Sequence, residues 1–301
     1  HGREHSFPTR RSSDLEVKQA LIRIGYPVED LAGYSAGAPM RFGFRGVARS
    51  GLDFALRRYQ VEAADVFWAG GSEKGGSGVI VLPCGAGKTV VGLSCMERLQ
   101  THTLVLTTNV VAVRQWKNEI LDKTDIPEDQ IGEYTGESKL VKPVTIATYQ
   151  ILTYRRKKTD PFVHFDLFSA NPWGLVVYDE VHLLPAPVFR VTAEIQATRR
   201  LGLTATLVRE DKKEDEVFSL IGPKKFDVPW KVLERQGFIA TARCIELRVP
   251  IPDDMKHEYL SSSPRQQFRL ASENPAKEPI VRQLLERHKG ERVLIIGQYV
   301  D

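Results

Sequence analysis

Cysteine is scarce in this chain: Cys84, Cys95 and Cys244 are the three it has among 301 residues. That number cannot supply a disulfide framework, and no histidine–cysteine group has the spacing of a metal site. Long apolar runs are missing as well. Stretches such as Val79–Leu82 are strand-sized, far short of the roughly 18 residues that span a bilayer. A membrane partner is therefore not expected, and the cytoplasm is the natural location. Internal repeats and low-complexity tracts are absent. An excess of either charge is missing too: 42 basic residues against 38 acidic ones leave a net charge of +4, compatible with a polyanionic partner and diagnostic of nothing. What remains is 42% hydrophobic and 27% charged, the composition of a soluble globular protein. At roughly 150 residues per domain its length suggests about two domains.

From Ser77 onward, short apolar runs alternate with helical patterns. Val79–Leu82, Thr103–Thr107, Val144–Thr148, Leu175–Tyr178 and Leu201–Thr206 read as strands. Lys88–Leu99 carries Val91, Cys95 and Leu99 on one helical face, and Val110–Leu121 and Val188–Ile195 have similar spacing. Continuous apolar strands separated by helices imply a parallel sheet covered on both faces. Beyond Val249 the pattern weakens until Pro279–His288, a helix leading into Arg292–Tyr299, which reads as a buried strand. A boundary is expected near 245–275. At the other end, His1–Leu15 has no apolar pattern, and Phe7–Leu15 matches what a sequencing-library adapter can encode. This leader is expected to lie outside the fold.

The strongest chemical signal is Pro83-Cys84-Gly85-Ala86-Gly87-Lys88-Thr89, between an apolar strand and an amphipathic helix. Glycines there let successive backbone N–H groups turn toward phosphate oxygens, and the helix start adds a positive dipole end. Lys88 is placed to reach the β- and γ-phosphates, and the Thr89 hydroxyl to reach Mg²⁺. The strict phosphate-loop pattern has glycine where this chain has Leu82. A second signal is Leu175–His182, an apolar strand ending in Asp179 and Glu180. Such a pair can hold the metal through Asp179 and orient or deprotonate the attacking water through Glu180. Taken alone, a strand ending in two acids is weak; some ninety residues after a phosphate loop it becomes strong. Cys84 is explained by its small size at a tight turn.

The combination of PCGAGKT, YDEVH and Leu201–Asp211 (LGLTATLVRED) resembles superfamily-two helicases, and within them the XPB-like DNA helicases. VEDLAGY at 28–34, LRRYQ at 56–60, VTIATYQ at 144–150, YDEVHLLPAP at 178–187 and SLIGPKKFD at 219–227 extend the resemblance from about Glu16 to the last residue. It implies a RecA-like ATP-binding lobe at 51–250, preceded by the tail of an accessory domain at 16–50. A thumb-like linker at 251–275 and the opening of a second lobe at 276–301 would follow.

The resemblance also implies roles. Arg57 and Gln60 would contact adenine, the Gln60 amide offering both a donor and an acceptor. Thr204 and Thr206, with His182, would couple the nucleotide site to DNA. Asn109, Arg114, Thr148 and Tyr149 would hold strand backbone, and Arg209, Glu210 and Asp211 would engage duplex. The basic run Arg155–Lys158 is most simply a solvated loop, with DNA contact as the sharper alternative. The implied activity is an ATP- and Mg²⁺-dependent 3′-to-5′ DNA helicase or translocase in repair or transcription-linked processes. Its partners would be single-stranded and junction or duplex DNA, and a nuclease is a further candidate. Without the arginines of a second lobe, the chain by itself is expected to bind ATP and hydrolyse it poorly. Two rivals are a restriction-type translocase on double-stranded DNA and a catalytically silent, nucleotide-gated interaction module.

Overall fold

The computed structural model describes residues 36–72, 75–157, 162–164, 171–183, 197, 199–206 and 214–298. They fall into two compact units, His1–Ala240 and Thr241–Asp301. The first holds α1 (Arg58–Trp68), β1 (Ser77–Val81), α2 (Lys88–Leu99), β2 (Thr103–Thr107), α3 (Val110–Lys123), β3 (Ile131–Tyr134), β4 (Val144–Thr148) and α4 (Tyr149–Leu152). It continues with β5 (Leu175–Asp179), β6 (Arg199–Thr204), α5 (Glu214–Ile221), β7 (Lys224–Asp227) and α6 (Trp230–Arg235).

Seven described strands form one sheet in the order β3-β4-β2-β5-β6-β1-β7, and every pair is parallel. The fold is α/β, as the alternating pattern implied. Its strands send successive side chains to opposite faces, and two cores result. Ile80, Val105, Val177 and Leu203 join Phe67, Val91, Met96, Val113 and Trp116 under α1, α2 and α3. Val79, Leu104, Val176 and Tyr178 join Tyr149, Leu152, Trp173, Val217 and Leu220 on the other face. Because the strands are parallel, Val81, Thr107, Thr148, Asp179 and Thr204 all end at one edge of the sheet.

Residues 36–54 lie along this first unit. Met40 enters the core, with Phe42 and Phe44 packed against it. The Met40 N–H donates to the Gln100 carbonyl, and the N–H groups of Arg45 and Arg49 donate to the carbonyls of Lys123 and Asp122. Ser50 N–H reaches Asp122 Oδ1 at 2.9 Å.

The second unit holds α7 (Asp253–Ser261), α8 (Pro264–Ser272) and α9 (Lys277–Arg287). Helices α7 and α8 occupy the stretch where the pattern weakens and the resemblance implies a thumb-like linker. Their starts explain them: Asp253 and Asp254 favour the first turn of α7, and α8 opens with Pro264 and a Ser263–Gln266 capping box. Neither helix buries a residue fully, so the sequence had no apolar face to show. A correction concerns the last strand. Residues 292–298 are not in a strand, because a strand needs a hydrogen-bonding neighbour, and no described residue offers one there. The helix expected at Val188–Ile195 lies outside the described residues. No helix among the described residues is long and apolar enough to cross a membrane.

Candidate nucleotide site

The phosphate loop leaves β1 and enters α2. Gly85 and Gly87 sit at φ +78° and +77°, where only glycine is free of strain. Gly87 caps α2 without a side chain, so nothing local competes for the first-turn N–H groups. Leu82, the departure from the strict pattern, is fully buried, and its N–H bonds to the Thr204 carbonyl at 2.9 Å. It extends the sheet instead of opening the loop. Pro83, Cys84, Ala86 and Thr89 complete the loop. Cys84 is exposed, Ala86 is buried in the core, and Ala86 N–H closes the turn onto the Pro83 carbonyl.

Two side chains brace the loop from α1. Tyr59 donates its hydroxyl to the Ala86 carbonyl at 2.5 Å, and Gln60 Nε2 donates to the same oxygen at 3.3 Å. Gln60 Oε1 accepts the Arg57 N–H at 2.9 Å. One donor and one acceptor of the Gln60 amide are thus already used within the protein, which narrows what it can offer a base. Arg57 is exposed and lies over the Phe238 ring, 4.9 Å from its centroid.

The acidic pair closes on the loop from β5. Lys88 Nζ lies 3.1 Å from Glu180 Oε1, with the two side chains 11% and 30% exposed. Glu180 holds φ +51°, a left-handed conformation that costs a non-glycine residue about 1–2 kcal/mol. Burial pushes the Asp179 carboxyl above its ordinary value, partly offset by the Trp116 indole N–H. That indole donates to Asp179 Oδ2 at 2.8 Å.

A further chain runs from Glu180 to β6. His182 Nδ1 is 2.8 Å from Thr204 Oγ1 and 3.4 Å from Glu180 Oε2. Thr204 Oγ1 spends its one proton on the Thr206 carbonyl at 2.5 Å and accepts the Thr206 N–H. With the Thr204 proton so placed, a proton on His182 Nδ1 completes the contact. Lys88, Asp179, Glu180, His182 and Thr204 are brought together.

The expected strand-contact residues divide. Asn109 is exposed and caps α3, its Oδ1 accepting the Ala112 N–H at 2.9 Å. Arg114 is 62% exposed and 3.3 Å from Glu137. Thr148 is buried, and so is Tyr149. Its side chain is 1% exposed, with its hydroxyl donating to the Asp179 carbonyl at 2.8 Å. Arg155, Arg156 and Lys157 are exposed, while Lys158, Arg209, Glu210 and Asp211 lie outside the described residues. Tyr59, Trp116 and Phe238 went unassigned in the sequence. The first two sat inside LRRYQ and NVVAVRQW, stretches already singled out for other residues, and nothing marked Phe238.

The residues present suit a phosphate-bound divalent cation. The candidate donors, Thr89 and Asp179, offer oxygen alone, which a hard cation takes. No group of three or more His, Cys, Asp or Glu among the described residues could form a protein cage, so one carboxylate and one hydroxyl leave the rest of the shell to phosphate and water.

Comparison with known proteins agrees in kind. Residues 53–209 match the family described as "Type III restriction enzyme, res subunit". A protein of Kineococcus radiotolerans called "DNA 3'-5' helicase XPB" is 53% identical, the match covering 95% of this chain and 49% of that one. A protein of the same description from Mycobacterium tuberculosis is 50% identical over 95% of this chain and 50% of its own. The chain spans about half the length of these curated relatives. The solved helicase domain of Pyrococcus furiosus Hef superposes with a TM-score of 0.51 at 20% identity, covering 77% of this chain and 54% of that one, which supports the fold alone.

Proposed function

Because the chain belongs to the family of the type III restriction enzyme res subunit and is similar to proteins called DNA 3'-5' helicase XPB, we propose that it is of the XPB-like superfamily-two type and carries the ATP-hydrolysing lobe of a 3′-to-5′ DNA motor. The observation that carries this reading is the meeting of Lys88 and Glu180 at 3.1 Å, at the mouth of a glycine loop that opens α2. A lysine from the loop after β1 and an acid from the end of β5, two strands away across β6, converge on one point. That point is where a γ-phosphate and its attacking water must sit.

Each residue then has a task. The loop N–H groups and the start of α2 take phosphate oxygens. Lys88 gives up Glu180 for the β- and γ-phosphates and stabilises charge that grows as the terminal phosphoryl leaves. Freed from Lys88, Glu180 orients the water and accepts its proton. The Glu180 backbone conformation and the His182 contact hold that carboxylate in place. Mg²⁺, when bound, neutralises phosphate charge; Thr89 and Asp179 are the residues that would hold it. Arg57 and Phe238 form a stacked wall on the adenine side. Exposed Asn109 at the start of α3 is where strand phosphate would lie, a contact that positions without reading bases.

This reading is favoured over a silent module because both acids and the lysine are present and in register. It is favoured over a translocase that does not unwind by the relatives' names. The test is ATP turnover by the chain with and without single-stranded DNA, beside a chain completed with a second lobe, and strand displacement by the completed chain. Low turnover by the chain, DNA-stimulated turnover by the completed form, and displacement with 3′-to-5′ polarity are expected. Turnover that ignores Lys88→Ala would overturn the site. DNA-stimulated turnover without displacement would favour the translocase.

A further inference from the structure

Asp179 is held from two sides by aromatic donors that the proposed chemistry does not use. Trp116 Nε1 donates to its carboxylate Oδ2 at 2.8 Å, and the Tyr149 hydroxyl donates to its backbone carbonyl at 2.8 Å. Both side chains are 1% exposed. An indole has one polar atom, a donor with no alternative role, and here that atom is spent on a carboxylate in a protein interior.

The two donors come from separate elements. Trp116 lies on α3, six residues or about 9 Å along the axis from Val110. Asn109, exposed, caps the same helix. Tyr149 is the first residue of α4 and follows directly on the end of β4. The indole is also gripped by the helix that opens at the phosphate loop: a Cβ added at Gly92 of α2 would lie 2.5 Å from Trp116 Cη2. Glycine at that position makes room for the ring. Trp116 therefore touches the phosphate-loop helix, the metal-side carboxylate and the core of the helix whose start faces solvent at Asn109.

We propose that Trp116 and Tyr149 are positioning residues that fix the Asp179 carboxylate for the divalent cation. In this role Trp116 transmits displacement of α3 to that carboxylate. The proposal rests on the nucleotide reading above and deepens it. A carboxylate free to rotate spends part of its time aimed away from the metal. An N–H bond to one oxygen and a fixed carbonyl restrict it to the orientation that faces the phosphate loop. The same indole bond makes its placement depend on where α3 sits.

The test uses the full chain with a fluorescent ADP analogue, in Trp116→Phe and Tyr149→Phe. Each keeps a ring of similar size and deletes one donor. Expected is unchanged nucleotide affinity without Mg²⁺, with the Mg²⁺ concentration for half-maximal enhancement raised about three- to tenfold in each variant. In wild-type chain labelled with ¹⁵N-tryptophan, the one indole resonance missing from Trp116→Phe should shift when Mg²⁺ is added to the nucleotide complex. A lowered melting temperature with an unmoved Mg²⁺ midpoint in both variants would reduce these rings to core packing and overturn the proposal. So would an indole signal indifferent to Mg²⁺, a result available even where a variant folds poorly. Wild-type chain that binds nucleotide with no Mg²⁺ dependence would overturn the metal assignment beneath it, and the two failures are told apart by which protein shows them.

Discussion

Replacing Gly92 by alanine sets two forces against each other, and the structure decides between them. Gly92 lies in the middle of α2. In an open helix interior, glycine to alanine stabilises by about 1 kcal/mol, through backbone entropy. Here the new methyl would meet Trp116 Cη2 at 2.5 Å, Leu203 Cδ1 at 3.2 Å and Trp116 Cζ3 at 3.4 Å. Carbon atoms rest at about 3.5–4.0 Å, so the ring must retreat by roughly 1 Å. It has nowhere easy to go, since Trp116 and Leu203 are both buried in the same core. Overpacking of this kind costs about 1–3 kcal/mol. The balance is a net destabilisation of roughly 1 kcal/mol, opposite in sign to the helix preference.

The retreat also has a chemical reading. The indole N–H lies 2.8 Å from Asp179 Oδ2, and a shift of about 1 Å takes that bond beyond useful length. Gly92→Ala should therefore lower the urea midpoint of the sheet-bearing unit and weaken Mg²⁺-dependent nucleotide binding together. A variant more stable than the parent, with its Mg²⁺ dependence intact, would refute the packing argument.

Other outcomes follow from the same geometry. Lys88→Ala should cut ATP turnover by about 10²–10³-fold, the scale for losing one preorganised charge at developing negative charge, while leaving the melting transition within a few degrees. Glu180→Gln should bind nucleotide about as well as the parent and lose about 10²–10⁴-fold in hydrolysis, because the amide cannot take the proton; binding and turnover measured on one preparation check this. Asp122, whose carboxyl is held below its ordinary value by Lys123 and then by the Ser50 N–H, ties residues 48–52 to α3. A depressed carboxyl stabilises above its unfolded value and loses that stabilisation as pH falls through the folded one. Hydrogen-exchange protection at Ser50 should therefore decline below about pH 4, and Asp122→Asn should remove the decline.

What the sequence made legible follows from which strands are buried on both faces. β2, β4 and β5 are central, and TLVLT, VTIAT and LVVYD have no polar face to confuse the pattern. β3 and β7 stand at the two ends of the order. There IGEY is four residues long, and KKFD has three charges in four. Neither is apolar enough to register, and both were missed. Helices α7 and α8 of the second unit were missed for a related reason, as their polar surfaces carry capping signals and little else, whereas α9 was read from its spacing. Within the site, residues named by chemistry were legible and residues named by contact were not. A phosphate-loop lysine and an acidic pair have their tasks written in their charges. Trp116 and Tyr149 have theirs only in what lies opposite once the sheet is formed.

That difference changes how the edge of the sheet should be understood. Thr148 and Tyr149 lie at the end of β4 in a stretch that resembles a strand-holding motif, and the sequence alone does not say where the Tyr149 ring goes. In the parallel order β4-β2-β5, β4 stands two positions from β5, about 9–10 Å away at the usual strand spacing. A tyrosine starting a helix at the end of β4 can turn back under the edge and span that distance. Its hydroxyl does so, over the end of β2, to the carbonyl of Asp179. The sheet order therefore makes the Tyr149 side chain an internal strut. Among the described residues, the cap of α3 at Asn109 is exposed on this side, the place that the proposed function gives to a strand. A strand held there would press on α3, which carries the second donor to Asp179. On the proposed reading, the strut and the indole join the Asp179 carboxylate to the start of α4 and to α3, the elements that such a strand would touch.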